Sequence, residues 1–206
     1  MPIRLDQRLT AIANLVDYGK VADVGCDHGK LGYYLVSTDR ASEVIATDIS
    51  KPSLDKAKEL AFENGVADVM QTRLCDGLGA VDGEEVDTVI IAGLGGDVIS
   101  GIMQRAREDG KTFSSFILSP NTHPEKVRRE IVLSKHAIVF DEMLECAGKT
   151  YTIIKTKKAK ARLTICSWRS VRFIRLATIS SILLKRNFAR SKTYYRKIPK
   201  RNFKAR

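Results

Sequence analysis

What this 206-residue sequence lacks narrows it before any motif does. No apolar run approaches the roughly 20 residues needed to span a bilayer, so no membrane partner is expected. Met1–Thr10 carries charges where a secretory leader has its apolar core, and no signal peptide is expected. The four cysteines, Cys26, Cys75, Cys146 and Cys166, show no C-x-x-C spacing. They suggest neither a disulfide framework nor a zinc site, so a reducing cytoplasm and no metal are expected. The dinucleotide fingerprint G-x-G-x-x-G is missing, since Gly25 is followed by Cys26-Asp27-His28-Gly29. No G-x-x-x-x-G-K-[ST] phosphate loop and no internal repeat occur either.

Acidic residues are also missing from one end. Residues 155–206 hold 18 Lys+Arg and no Asp or Glu, a net of +18, and the last carboxylate side chain is Glu145. Residues 1–154 hold 17 Lys+Arg against 24 Asp+Glu, a net of −7. This asymmetry points to nucleic acid, or another anionic surface, as partner of the C-terminal part. From Lys185 onward bases alternate with Phe188, Tyr194, Tyr195 and Phe203, which suits RNA backbone and unpaired bases. A second reading is a truncated or frameshifted end, and 52 residues without a carboxylate beside an acidic domain weigh toward it. The expected division is a domain over 1–156 and a basic segment over 157–206, helical or disordered. Nothing in the sequence decides the oligomeric state.

What is present reads as alternating strands and helices. Leu5, Leu9, Ile12 and Val16 predict an amphipathic helix over Leu5–Val16. Strands are expected over Val21–Gly25, Val44–Thr47, Val69–Leu74, Val86–Ala92 and Phe113–Leu118. Helices are expected over Leu31–Ser37, Val98–Arg107 and Pro124–Leu133, and another is capped by Ser50 and closed by Gly65. Ala137–Cys146 and Tyr151–Thr156 flank Gly148 as an antiparallel pair. The fold class is therefore α/β, a mostly parallel doubly wound sheet with a terminal hairpin.

In such a sheet ligands bind outside the carboxyl ends of the strands. Those ends carry Gly25-Cys26-Asp27-His28-Gly29, Asp48, Asp76-Gly77, Gly93-Leu94-Gly95-Gly96 and Ser119-Pro120-Asn121. Asp48 lies 23 residues after Gly25, near the spacing of an acid that binds a ribose diol. Asp76 suits an adenine amino group. Asp23 and Asp27 would repel a pyrophosphate but suit a cationic ligand, and the electrostatics favour S-adenosylmethionine, with its sulfonium and ammonium, over NAD or ATP. The glycines at 93–96 read as part of the site or as a plain tight turn.

The segment D-V-G-C-D-H-G at 23–29 resembles motif I of class I S-adenosylmethionine-dependent methyltransferases, with Asp27 where many members have glycine. With R-L-x-x-I-A at 8–13, C-D-G-L at 75–78, I-A-G-L-G-G at 91–96 and S-P-N at 119–121, the chain resembles the bacterial tRNA (adenine(22)-N1)-methyltransferase family over about residues 3–156. The resemblance implies a Rossmann-like domain, a helical tRNA-binding C-terminal domain, and tRNA as partner. It implies that Asp23, Gly25 and Gly29 shape the methionine end of the cofactor site, Asp48 and Ile49 meet the ribose, and Asp76, Gly77 and Leu78 meet the adenine. The I-A-G-L-G-G turn, with Gly93, would stand beside the cofactor and leave room for the target base. Lys30 stands where some members have tyrosine.

Methylating adenine N1 makes a cationic base, so a nearby carboxylate is expected to stabilise it or take the N6 proton. Asp27 is the first candidate, with His28 and Asn121 as orienting groups. Asp27 also reads as a helix cap or an ammonium ligand, and His28 as a turn-bonding residue. Methylation of another RNA or a small molecule, and catalytically weak RNA binding, are the alternative functions.

Overall fold

Short β-branched runs bounded by glycine become the strands of one seven-stranded sheet. The computed structural model describes residues 3–159; the basic segment from residue 160 onward lies outside the described residues. In chain order the elements are α1 (Gln7–Asn14), β1 (Lys20–Val24), α2 (Lys30–Ser37), β2 (Glu43–Asp48), α3 (Lys51–Glu63) and β3 (Met70–Leu74). They continue with β4 (Thr88–Ala92), α4 (Gly96–Glu108), β5 (Ser115–Ser119), α5 (Pro124–Leu133), β6 (His136–Cys146) and β7 (Lys149–Lys158).

The strand order is β3-β2-β1-β4-β5-β7-β6, with β1 to β5 parallel and β7 and β6 antiparallel. The doubly wound sheet and terminal hairpin expected from the sequence are both present. Helices cover both faces because the central strands are apolar on both. Ile90 of β4 packs with Leu35 of α2 and Leu54 of α3, while its neighbours Val89 and Ile91 pack with Ile99 and Met103 of α4 and Ile131 of α5. A strand buried on both sides reads as a continuous apolar run rather than an alternating one.

Element ends moved where polar groups intervene. Asp6 caps α1 by accepting the Leu9 N–H at 2.6 Å, so that helix begins at Gln7 rather than Leu5. Asp87 turns its carboxylate onto the Lys20 N–H at 2.9 Å, and β4 begins after it, at Thr88 rather than Val86. Phe113 precedes β5 and packs edge-on against Phe116 at 5.6 Å. Ser50 caps α3 as expected. The β6–β7 turn places Ala147 and Gly148 at φ 50° and 74°, the paired left-handed conformations of a tight hairpin.

Sequence order reverses at β1, which lies between β2 and β4. The crevice at the carboxyl ends of β1 and β4 is thus the switch point where ligands bind in open α/β sheets.

Candidate active site

A cleft of about 540 Å³ opens at that switch point. The loop after β1 forms one wall. The N–H groups of Gly25 and Cys26 both donate to Thr47 O, at 2.8 and 3.0 Å, pinning the loop to the end of β2. Three residues in five then adopt positive φ, at Gly25 (72°), Asp27 (51°) and Gly29 (71°), before α2 starts. Glycine meets that demand at two of them; Asp27 is held there by its N–H, which donates to Asp48 Oδ2 at 3.1 Å. The other Asp48 oxygen accepts the Ser50 N–H at 2.8 Å, so Asp48 clamps the β1 loop to the start of α3.

Asp23 is the distinctive group of the cleft. The residue is 4% exposed, and Oδ2 has no hydrogen-bond partner. Burial, with a smaller push from Asp48 and against the Gly32 N–H, raises its pKa from the ordinary carboxylate range to about 7. Burial and the same acids push the Cys26 thiol far up, which leaves it a protonated wall residue rather than a nucleophile.

Of the residues expected from the sequence, Asp23, Gly25, Asp27, His28, Asp48, Ile49, Asp76, Gly77 and Gly93 line this cleft. Gly29, Leu78 and Asn121 do not. Gly29 is the left-handed N-cap of α2, where an added Cβ would lie 2.7 Å from both Ala57 and Met70. Leu78 is buried against the α4 core. Asn121 stands behind the β4 turn, its N–H donating to Leu94 O at 2.9 Å and its Nδ2 to Gly93 O at 2.6 Å. These bonds join the S-P-N turn to the I-A-G-L-G-G turn.

Two charged partners were not foreseen. Asp76 Oδ1 accepts from Arg105 of α4 at 2.9 Å. Lys56 of α3 lies 3.2 Å from His28 Nε2. The same nitrogen lies 3.5 Å from Asp27 Oδ1, so the imidazole stands between an ammonium and a carboxylate. Sequence reading also passed over Arg8, Val98 and Ile102 as cleft residues. Arg8 stood in the R-L-x-x-I-A block, but nothing in that block gave it a task.

The donor set suits a cationic nucleoside. Asp23 brings a buried, unsatisfied carboxyl oxygen, while Leu94, Val98 and Ile102 supply an apolar wall near Asp76 and Gly77. A phosphate would meet Asp23, Asp27, Asp48 and Asp76 instead. Among the described residues no cluster of His, Cys, Asp or Glu is arranged to hold a metal, and no helix is long and apolar enough to cross a membrane.

A Rossmann-like sheet with this acid-lined, glycine-bounded crevice is the architecture of a class I methyltransferase. Residues 5–154 match the methyltransferase domain family, and the chain belongs to it. The resemblance drawn from the five motif blocks is borne out. The chain is 31% identical over 153 residues to the tRNA (adenine(22)-N(1))-methyltransferase of Bacillus subtilis strain 168, covering 74% of this chain. It spans 64% of the length of that relative. The crystal structure of the B. subtilis m1A22 tRNA methyltransferase TrmK superposes with a TM-score of 0.72 at 30% identity, covering 76% of this chain and 67% of that one. The M. capricolum TrmK structure in complex with S-adenosyl-homocysteine gives 0.68 at 26% identity, covering 76% and 70%.

Proposed function

We propose that this chain is a cytoplasmic enzyme that methylates N1 of an adenine, position 22, in tRNA, using S-adenosylmethionine. In this reading residues 1–156 form the catalytic domain and the basic residues 157–206 an appendage to it. The observation that carries the proposal is the buried, unpaired Asp23 oxygen in an acid-lined cleft at the sheet's switch point. It suits the ligand's ammonium, and the relatives' names supply the acceptor.

When bound, the cofactor supplies an electrophilic methyl group on a sulfonium. The residues of the chain bind and orient. Asp48 holds the β1 loop and offers its remaining lone pairs to the ribose, and Asp76 with Gly77 borders the adenine. Adenine N1 carries an in-plane lone pair and needs no base to become a nucleophile, so positioning supplies most of the acceleration. N1 lies on the Watson–Crick edge, and the target base must be unpaired or flipped out.

Asp27 presents its carboxylate at the cleft, 76% exposed, where it stabilises the cationic methylated base. His28, held between Lys56 and Asp27, serves as an orienting group. Asn121, whose Nδ2 donates to Gly93 O, orients the β4 turn beside the target base from behind it. The test is methyl transfer from labelled cofactor to unmodified tRNA, with the product nucleotide mapped by mass spectrometry. The proposal expects 1-methyladenosine at position 22; cofactor binding without incorporation would overturn it. Asp48→Ala is expected to weaken cofactor binding at least tenfold by calorimetry, the loss of a charge-assisted hydrogen bond.

A further inference from the structure

Arg8 sits where helix physics disfavours it. It lies in the first turn of α1, at the positive end of the helix dipole, with no acid in that turn. Its guanidinium stacks over the Tyr151 ring of β7 at 5.2 Å. It also lies across the carboxyl end of β4, where a Cβ at Gly93 would come within 3.3 Å of Nη1. The glycine leaves the space that the guanidinium occupies. Yet Nη1 is buried without a hydrogen-bond partner.

Among the described residues four buried side-chain atoms lack a partner: Arg8 Nη1, Asp23 Oδ2, Thr72 Oγ1 and Ser119 Oγ. Only Arg8 and Asp23 line the cleft, and they do not satisfy each other. Arg73, Arg105 and Arg107, by contrast, each reach a carboxylate. One unpaired cation and one unpaired acid in a single cleft match a ligand that carries both charges. Local rules broken without an internal partner are expected at functional sites.

We infer that Arg8 is the carboxylate anchor of the cofactor site, so that Arg8 and Asp23 together read the two charges of the ligand's α-amino-acid end. The inference rests on the cofactor reading above and adds a residue to it. A guanidinium matches a carboxylate as a rigid fork of donors, and Tyr151 holds its plane. A bare phosphate is the poorer occupant, because Asp23, Asp27 and Asp48 stand around the same cleft.

The test uses calorimetry on the full chain with two probes, S-adenosylhomocysteine and its decarboxylated amine analogue. Wild type is expected to prefer the first, and Arg8→Gln to lose about 10- to 100-fold for it alone, the range for charge-assisted hydrogen bonds. Affinity for the amine analogue stays within about twofold of wild type, since that probe has no carboxylate to lose. Arg8→Lys keeps the charge without the fork and falls between the two. Should Arg8→Gln fold poorly in thermal melts, Arg8→Lys and the wild-type preference carry the test. Equal loss for both probes, or no loss, overturns the assignment. A drop in tRNA affinity with unchanged S-adenosylhomocysteine affinity gives Arg8 to an RNA phosphate instead and also overturns it. A wild-type chain that binds neither probe overturns the cofactor reading itself.

Discussion

Two regions of this domain treat charge in opposite ways. Around the β3–β4 connection and the α4–α5 face, charges close on one another. Arg73 forks onto both oxygens of Glu85 at 2.9 Å, and Glu85 also accepts the Asp82 N–H, which together hold its pKa down at about 2. Lys111 donates to the carbonyls of Leu78, Gly79 and Val81 within 3.0 Å. Glu130, buried at 5%, accepts from Arg107 at 2.9 Å and from Ser134 at 3.2 Å. At the carboxyl ends of β1 and β4, Asp23 and Arg8 keep buried atoms unpaired. Charge that is paired within the chain serves folding. Buried charge left open costs stability, and the cost is offset only when something binds.

That contrast can be broken by changing one acid in each region. Asp23→Asn is expected to show the largest effect, lowering S-adenosylhomocysteine affinity about 100-fold, as expected when a buried partner of a charge is removed. The same variant should be more stable than wild type without ligand, by about 1–2 kcal/mol at pH 8, because no ionised carboxyl remains buried there. Calorimetry and thermal melts read the two opposite signs. Glu130→Ala should do the reverse, lowering stability by removing a buried side chain that accepts from Arg107 and Ser134, with ligand affinity unchanged. Equal behaviour of the two variants would erase the distinction.

The pH dependence of the ligand-free protein sharpens it further. The Asp23 pKa of about 7 lies above the ordinary value of 3.8, so between them the native state keeps a proton that the unfolded chain has lost. Its contribution is present at low pH and is lost as pH rises through about 7. Urea melts should therefore show wild type gaining stability relative to Asp23→Asn from pH 8 to 5.5, by up to about 1.4 kcal/mol per unit. The carboxyls whose pKa is lowered, Asp17, Glu85, Asp97 and Glu125, act below this window. Far from both regions, Ala147→Asn at the hairpin tip should add about 0.5 kcal/mol, since asparagine tolerates the left-handed conformation better.

Much of the fold was legible because its signals are local. The β-branched runs, the Ser50 cap and the glycines after each strand lie within a few residues of what they control. The loop Gly25–Gly29 and the acids Asp23, Asp27 and Asp48 were found the same way, as motif and as strand-end position. What sequence reading missed acts between distant residues. Lys56 meets His28 across 28 positions, and Arg105 meets Asp76 across 29. Arg8 reaches Gly93 and Tyr151 only because α1 lies over the ends of β4 and β7. Leu78 shows the converse: its motif placed it beside the adenine, while its apolar side chain is taken by the α4 core.

Asp23 is kept buried, with Oδ2 unpaired, for a cationic group of the ligand. S-adenosylhomocysteine affinity measured by calorimetry from pH 8 down to 5.5 tests it most directly. Wild-type affinity is expected to fall by up to about tenfold per unit below pH 7, as Asp23 takes up its proton, and Asp23→Asn to show no such slope. A wild-type affinity independent of pH, or the same slope in both proteins, would contradict it.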